Sequence, residues 1–346
     1  MAGEKKLLSE LRYNVMSKDW VVIATGRAKR PEMFRQNRRK EKEVLKSPCP
    51  FCKLGSENEA TLIISSGEKI SIKEKGRFPE NWTTLAIKNK YPAFAPISNP
   101  RTRSEGEFYK SMDAAGYHEV VVTRDHDRSL ALLSIERIKE VIDVYQQRYL
   151  ELMEKPSVRY ISIFHNHGKE AGASISHPHS QIITTPLIDT DLEKAISNAK
   201  AYYRKHKKNI YFLMDEWERK SKKRIVFENK DFLVLCPFAS KSAFEIIISP
   251  KKPSPYFERI SEKEKESLAE AFKKALYSLY KGLGDPAYNF YLHSAPCDNK
   301  EYGYYHWHWT ILPKTSIWAG FELGAGMEIS TIEPEKAAAY LRKQIS

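Results

Sequence analysis

Apolar residues recur along this chain with two different periods. Trp20-Val21-Val22-Ile23, Glu119-Val120-Val121-Val122, Arg159 to Phe164, Phe232 to Leu235 and Glu245 to Ile248 are short runs rich in β-branched and aromatic residues. Such runs predict strands. From Ser134 onward the spacing turns helical, with apolar residues at Ile138, Val141, Ile142, Tyr145, Tyr149 and Leu152. A second long helix is predicted from Ser261, where Glu264 completes a capping box. Its apolar face runs through Leu268, Phe272, Ala275, Leu276 and Leu279, and Gly282 and Gly284 are read as its stop.

The order of these elements repeats. Each half reads as a strand opened by glutamate (Glu119, Glu245), then a long helix, a strand, and a His-x-His run. The paired runs are His177-Pro178-His179 and His306-Trp307-His308, offset by about 129 residues. That period is far longer than a solenoid repeat, so the pattern predicts a duplicated domain. The expected fold is α+β, with two halves, each a mostly antiparallel sheet with packed helices. The boundary is placed in the polar stretch 200–209, giving segments 1–200 and 201–346.

Composition narrows the class. A chain of 346 residues that is 41% hydrophobic can bury a sizeable core. No apolar run reaches the roughly 18 residues of a membrane span, and the first ten residues lack the apolar core of a secretory signal. The default expectation is cytoplasmic, with no membrane partner. The net charge of +13 is spread along the chain and offset by 44 acidic residues, without a nucleic-acid motif. It suits an anionic small substrate better than nucleic acid.

Four cysteines, Cys49, Cys52, Cys236 and Cys297, are too few for a disulfide scaffold. The pair Cys49-Pro50-Phe51-Cys52 has spacing suited to zinc or to a redox disulfide. A redox site would need a βαβ setting that the pattern does not provide, and zinc would need two further ligands. His177-Pro178-His179-Ser180-Gln181 leads into the apolar Ile182-Ile183-Thr184. On a strand, residues 177, 179 and 181 share one face. Two imidazoles and an amide aligned on an apolar strand are costly to bury without a role. One can bind a metal, one can attack, and the amide can hold a phosphate oxygen. Asn166-His167-Gly168 and Gly172-Ala173-Ser174 lie just upstream, a small-residue loop of the kind that admits phosphate. Arg27-Ala28-Lys29-Arg30-Pro31 follows the first strand; beside a nucleophile it reads as a phosphate clamp, and otherwise as a solvated turn.

Taken together, these motifs resemble the galactose-1-phosphate uridylyltransferase family, a branch of the histidine-triad superfamily. The resemblance also rests on Asn89-Lys90-Tyr91-Pro92-Ala93, Asp125-His126 and Gly320-Phe321-Glu322. It implies two histidine-triad-like domains and a structural zinc held by Cys49, Cys52, His126 and His177. It implies that His179 attacks the α-phosphorus of UDP-glucose, releases glucose 1-phosphate, and passes the uridylyl group to galactose 1-phosphate to give UDP-galactose. Gln181 would bond the phosphate oxygens. Arg27, Arg30, Asn166 and Ser174 would orient phosphates, Asn89 would lie near the nucleoside, and Glu322 would contact the hexose. The family implies a homodimer with sites near the subunit interface.

Some positions depart from the family pattern. The second half carries Tyr211 to Glu216 where some relatives have a CxxC. A second metal on His293, His306 and His308, with Glu193 as a candidate fourth ligand, is the lesser of two readings; the preferred one is a packed histidine pair with Trp307 and Trp309 on the opposite strand face. Phe321 to Gly326 resembles the ADP-glucose phosphorylase branch, and Ser316 and Glu328 stand where better-known transferases carry lysine and glutamine. Three alternatives remain open. One is an ADP-sugar phosphorylase using the same histidine with inorganic phosphate as acceptor. Another is a zinc-stabilised nucleotide- or nucleic-acid-binding protein without turnover. The third is a redox protein built on Cys49 and Cys52.

Overall fold

A computed structural model of the chain describes residues 9–24, 30–35, 49–72 and 76–345. In the first half the strands are β1 (Glu10–Tyr13), β2 (Trp20–Ile23), β3 (Ala60–Ser65), β4 (Glu68–Lys69), β5 (Thr84–Lys88), β6 (Thr102–Glu105), β7 (Tyr109–Met112) and β8 (His118–Thr123). Helix α1 (Ile135–Met153), β9 (Tyr160–His167), β10 (His179–Thr185), α2 (Thr190–His206) and α3 (Ile210–Ser221) follow. The second half continues with β11 (Ile225–Glu228), β12 (Phe232–Leu235), β13 (Ile246–Pro250), α4 (Glu262–Leu283), β14 (Tyr288–His293) and β15 (His308–Pro313). It ends in α5 (Gly320–Ala325), β16 (Ile329–Ser330) and α6 (Pro334–Ile345).

Eleven strands form one sheet in the order β11-β12-β13-β15-β14-β9-β10-β8-β5-β3-β4. Every neighbouring pair in it is antiparallel. The duplication is visible in this order. At the centre β9 pairs with β14, placing Phe164 opposite Tyr291. Outward from that seam, β10, β8, β5 and β3 are matched by β15, β13, β12 and β11. The expected α+β fold is therefore present, and the halves share a single sheet. The stretch 200–209 ends α2 and turns into α3, with Lys207 left-handed at the close of one helix and Asn209 capping the next. Strand β2 pairs in parallel with β16, and Arg12 bonds Glu335, so the first described segment is fastened to the C-terminal end of the chain.

Both long helices lie on one face of the sheet, packed against each other over a common core. That core joins Val141, Tyr145, Ile163 and Ile182 to Phe272, Leu276, Phe290 and Trp309. Their starts follow from local chemistry. The Ser134 hydroxyl accepts from the Arg137 N–H, and Ser261 and Glu264 form the reciprocal capping box. Gly284 ends α4 at φ 75°, but Gly282 lies inside the helix. A side chain there would crowd the Tyr340 ring of α6, which explains a glycine that does not act as a stop. On β8, Glu119 is buried and paired with Arg148 of α1 through two 2.7 Å hydrogen bonds. Among the described residues no helix is long and apolar enough to cross a membrane.

Candidate active site

Strand β10 alternates its side chains between the two faces of the sheet. Ser180, Ile182 and Thr184 are buried toward the helices, whereas His179 and Gln181 alternate to the opposite side and stay partly exposed. Ser180 is fixed from behind by Tyr145 of α1, whose hydroxyl lies 2.5 Å from its Oγ. The cross-strand register sets His179 opposite Val122, Gln181 opposite Val120 and Ile183 opposite His118. Directly opposed residues share a face, so His118, Val120 and Val122 line the same side as the histidine run. The Cys49–Cys52 loop packs there, with Cys49 and Phe51 in a cluster with Trp82, Leu85, Val120 and Val122.

Cys49, Cys52, His126 and His177 converge, with one ligand atom from each within 4.8 Å of the others. His177 Nδ1 lies 3.5 Å from both sulfurs and 3.1 Å from His126 Nδ1, and His126 Nδ1 lies 3.1 Å from Cys52 Sγ. A tetrahedral zinc with bonds of about 2.3 Å to sulfur and about 2.1 Å to nitrogen needs S···N separations of about 3.6 Å and N···N of about 3.4 Å. The set therefore fits zinc in size and donor type. The tautomer fits as well. His177 Nε2 donates to the Thr123 carbonyl at 2.7 Å, which leaves Nδ1 with its lone pair facing the cluster. Burial, together with the neighbouring Cys49, pushes the Cys52 thiol up to about 11, so a bound cation would displace a proton there.

The next residue on the face is oriented by the same device with the nitrogens exchanged. His179 Nδ1 lies 2.9 Å from the His177 carbonyl oxygen and donates to it, leaving Nε2 unprotonated. Burial lowers its proton affinity, opposed by that same hydrogen bond, and so favours the neutral ring. Among the described residues Nε2 makes no hydrogen bond. Phe51 holds both rings, with centroids 5.7 Å from His177 and 5.1 Å from His179. The Cys49–Cys52 loop thus buttresses the His179 ring through Phe51.

The other expected residues divide into those brought to this face and those not. Asn89 comes close: its Nδ2 is 3.0 Å from His118 Nε2, and His118 Nε2 is 2.8 Å from Gln181 Oε1. Asn166 stands on the adjacent β9 with its Oδ1 accepting from Asn289 at 2.8 Å. Ser174 is exposed in the loop between β9 and β10, whose entry needs Gly168 and Gly172 at φ 83° and 85°. Arg30 is exposed at the start of the 3-10 turn Pro31–Phe34, and Arg27 lies outside the described residues. Glu322 caps its own short helix through the Ala319 N–H, and no hydrogen bond joins it to the histidine strand among the described residues. Glu328 pairs with Lys241 at 3.4 Å. His118 went unremarked in the sequence because it belongs to no motif. The available signal was its place on the strand, at even spacing with Val120 and Val122.

The residues weighed for a second metal are not grouped as ligands among the described residues. His306 has both ring nitrogens engaged by backbone: Nε2 with the Pro250 carbonyl at 2.8 Å, and Nδ1 accepting from the Ser254 N–H at 3.0 Å. Glu193 is exposed on the first turn of α2. The one potential metal-holding group of this type among the described residues is the Cys49 cluster. The histidines pack instead, His293 stacking on His308 at 4.6 Å and Tyr211 lying 6.2 Å from His306. The shared Nε2-to-carbonyl bond also corrects the repeat alignment. Thr123 corresponds to Pro250, so His118, rather than Glu119, is the counterpart of Glu245.

Comparison with known proteins agrees with this geometry. Residues 2–189 match the family model of the N-terminal domain of galactose-1-phosphate uridyl transferase. The chain is 30% identical over 341 residues to ADP-glucose phosphorylase of Arabidopsis thaliana, covering 96% of this chain and 92% of that one. It is 27% identical over 346 residues to galactose-1-phosphate uridylyltransferase of Thermotoga maritima, covering 97% and 98%. A crystal structure of the Arabidopsis thaliana ADP-glucose phosphorylase with bound ADP-glucose superposes with a TM-score of 0.78 over 97% of this chain and 99% of that one, at 27% identity. Fold, geometry and comparisons agree on one assignment: the chain belongs to the galactose-1-phosphate uridylyltransferase family of nucleotidyltransferase enzymes.

Proposed function

We propose that the protein is a UDP-glucose–hexose-1-phosphate uridylyltransferase working through a nucleotidyl-histidine on His179. The observation that carries this reading is the His179 ring, whose Nδ1 is tied to the His177 carbonyl while Nε2 is left without a partner. In the first step Nε2 attacks the α-phosphorus, the P–O bond to the β-phosphate breaks, and glucose 1-phosphate leaves. As Nε2 takes on positive character, the His177 carbonyl bonded to Nδ1–H stabilises the ring. Gln181 is two residues along the same face and presents amide N–H groups to a non-bridging oxygen, where charge develops. In the second step an oxygen of the acceptor phosphate attacks the same phosphorus, the N–P bond breaks, and UDP-galactose leaves with His179 neutral again.

Zinc on Cys49, Cys52, His126 and His177 would supply a rigid closed site rather than an activated water, since four protein ligands leave no open position. Asn166 and Ser174, with Arg27 and Arg30, are assigned to phosphate binding, Asn89 to the nucleoside side and Glu322 to the hexose. Exposed Ile317, Phe321 and Leu323 beside Glu322 support a homodimer in which this segment meets a second copy. Unpaired cysteines throughout suit the cytoplasm.

A second reading keeps His179 and replaces the acceptor by inorganic phosphate, making the enzyme an ADP-sugar phosphorylase. It is favoured by the 30% identity to a protein of that name, and by Glu328, which pairs with Lys241 where other relatives carry glutamine. The test supplies UDP-glucose or ADP-glucose as donor with labelled galactose 1-phosphate or labelled phosphate as acceptor, and follows label into the nucleotide product, UDP-galactose in the first reading and ADP in the second. Incorporation from galactose 1-phosphate with UDP-glucose supports the first reading. Incorporation from phosphate with ADP-glucose supports the second, and no exchange with any pair contradicts both.

A further inference from the structure

We propose that His118 is a positioning residue for Gln181: it holds the carboxamide oxygen so that the amide N–H groups face the phosphate at His179. The proposal rests on the assignment of Gln181 to the phosphate and adds what determines which end of the amide is offered. A glutamine carboxamide is nearly symmetric in shape but opposite in polarity at its two ends. Rotated by half a turn, Gln181 would direct a carbonyl oxygen at a phosphate oxygen and repel it.

His118 removes that ambiguity. The Ala93 N–H points at its Nδ1 from 3.2 Å, which puts the ring proton on Nε2. Nε2–H then donates to an acceptor 2.8 Å away, and the atom there is Gln181 Oε1. Asn89 presents Nδ2 to the same nitrogen at 3.0 Å because its Oδ1 is occupied by the Tyr91 N–H at 2.9 Å. The Nε2–H tautomer satisfies the Ala93 and Gln181 contacts, whereas the other would satisfy Asn89 alone. Burial keeps the ring toward its neutral form, opposed by the bond to Gln181. With Oε1 held, Gln181 Nε2 makes no hydrogen bond among the described residues and is available to a ligand.

The backbone sets this placement. His118 is opposite Ile183, so it reaches Gln181 along the diagonal of the same face. At Gly116 a Cβ would stand 2.1 Å from the Thr184 carbonyl oxygen, so only glycine lets the entry to β8 run this close to β10. In the second half the counterparts are Glu245 and Thr310, a pair without a carboxamide to orient.

The test is a double-mutant cycle read by single-turnover formation of the His179 adduct from UDP-glucose. Gln181→Ala is expected to slow it by about 10²- to 10³-fold. His118→Leu is expected to slow it about ten- to a hundredfold, as when a partner orienting a functional ligand is removed, with KM and bound metal unchanged. The two losses should not multiply in the double variant. His118→Gln, which restores an N–H donor near the Nε2 position, should recover most of the rate. Should His118→Leu fail to fold, His118→Asn, polar but shorter, takes its place. Full rate in His118→Leu, or multiplying losses, overturns the inference while leaving the role of Gln181 intact. Parent rate in Gln181→Ala instead removes the assignment on which it rests.

Discussion

The two histidine pairs occupy matching places on matching strands, yet His177 turns a nitrogen to cysteine and histidine side chains where His306 turns it to backbone. His177 and His306 each give Nε2 to a carbonyl, of Thr123 and of Pro250. His179 and His308 each set Nδ1 against the carbonyl two residues back. The difference lies in what meets the remaining nitrogen. In the first copy His177 Nδ1 meets two sulfurs and His126; in the second His306 Nδ1 meets the Ser254 N–H. Both His179 and His308 are half-buried, but His179 lies against Phe51 whereas His308 lies against His293 and Tyr211. Ring orientation is thus common to both copies, and what differs is the set of residues around it.

This contrast can be broken at several points. The largest expected effect is His179→Gly, which should lower turnover by at least about a thousandfold with little change in stability, measured by steady-state transfer and thermal melting. Chelation of the metal, or Cys52→Ser, should come next. Melting is expected to fall by at least about 5 °C together with activity, because the Cys49–Cys52 loop carries Phe51 against His179. His308→Leu should behave in the opposite way. It leaves the His306 carbonyl without its partner and costs about 1–3 kcal/mol in denaturant unfolding, while kcat stays close to the parent value.

The effect most remote from activity is a pH dependence of stability in the second copy. Burial pushes Asp215, which lies 3.8 Å from His306 and bonds Ser249, up to about 7. A carboxyl whose folded value is raised binds more protons in the native state between its unfolded value near 3.8 and about 7. Its contribution to stability is therefore present at acid pH and lost as pH rises through that window. Asp215→Asn should remove this loss, so that its melting temperature gains on the parent between pH 5 and pH 8. An unchanged difference across that range would show that Asp215 is not the group involved.

Much of this was legible in the chain itself. The strand alternation put residues 177, 179 and 181 on one face, and the caps at Ser134 and Ser261 started the helices where they are found. The Cys49–Cys52 pair and His126 are distant in sequence from His177; their convergence was implied by resemblance and follows physically from β8, which carries the chain past β10. His118 and Phe51 were not legible, since each acts through a cross-strand or ring contact that no local spacing encodes. In the second histidine set His306 has both ring nitrogens taken by backbone, a constraint that sequence does not report. Gly282 misled, being small for the sake of Tyr340 on a helix far along the chain.

The central claim is that His179 Nε2 forms the bond to phosphorus. Incubating the protein with UDP-glucose in the absence of acceptor and mapping the modified peptide by mass spectrometry tests it most directly. A uridylyl group on His179, absent in His179→Gly and discharged on adding galactose 1-phosphate, is the expected result; with ADP-glucose the same site would carry an adenylyl group discharged by phosphate. An adduct on any other residue, or transfer proceeding in His179→Gly, would contradict the account.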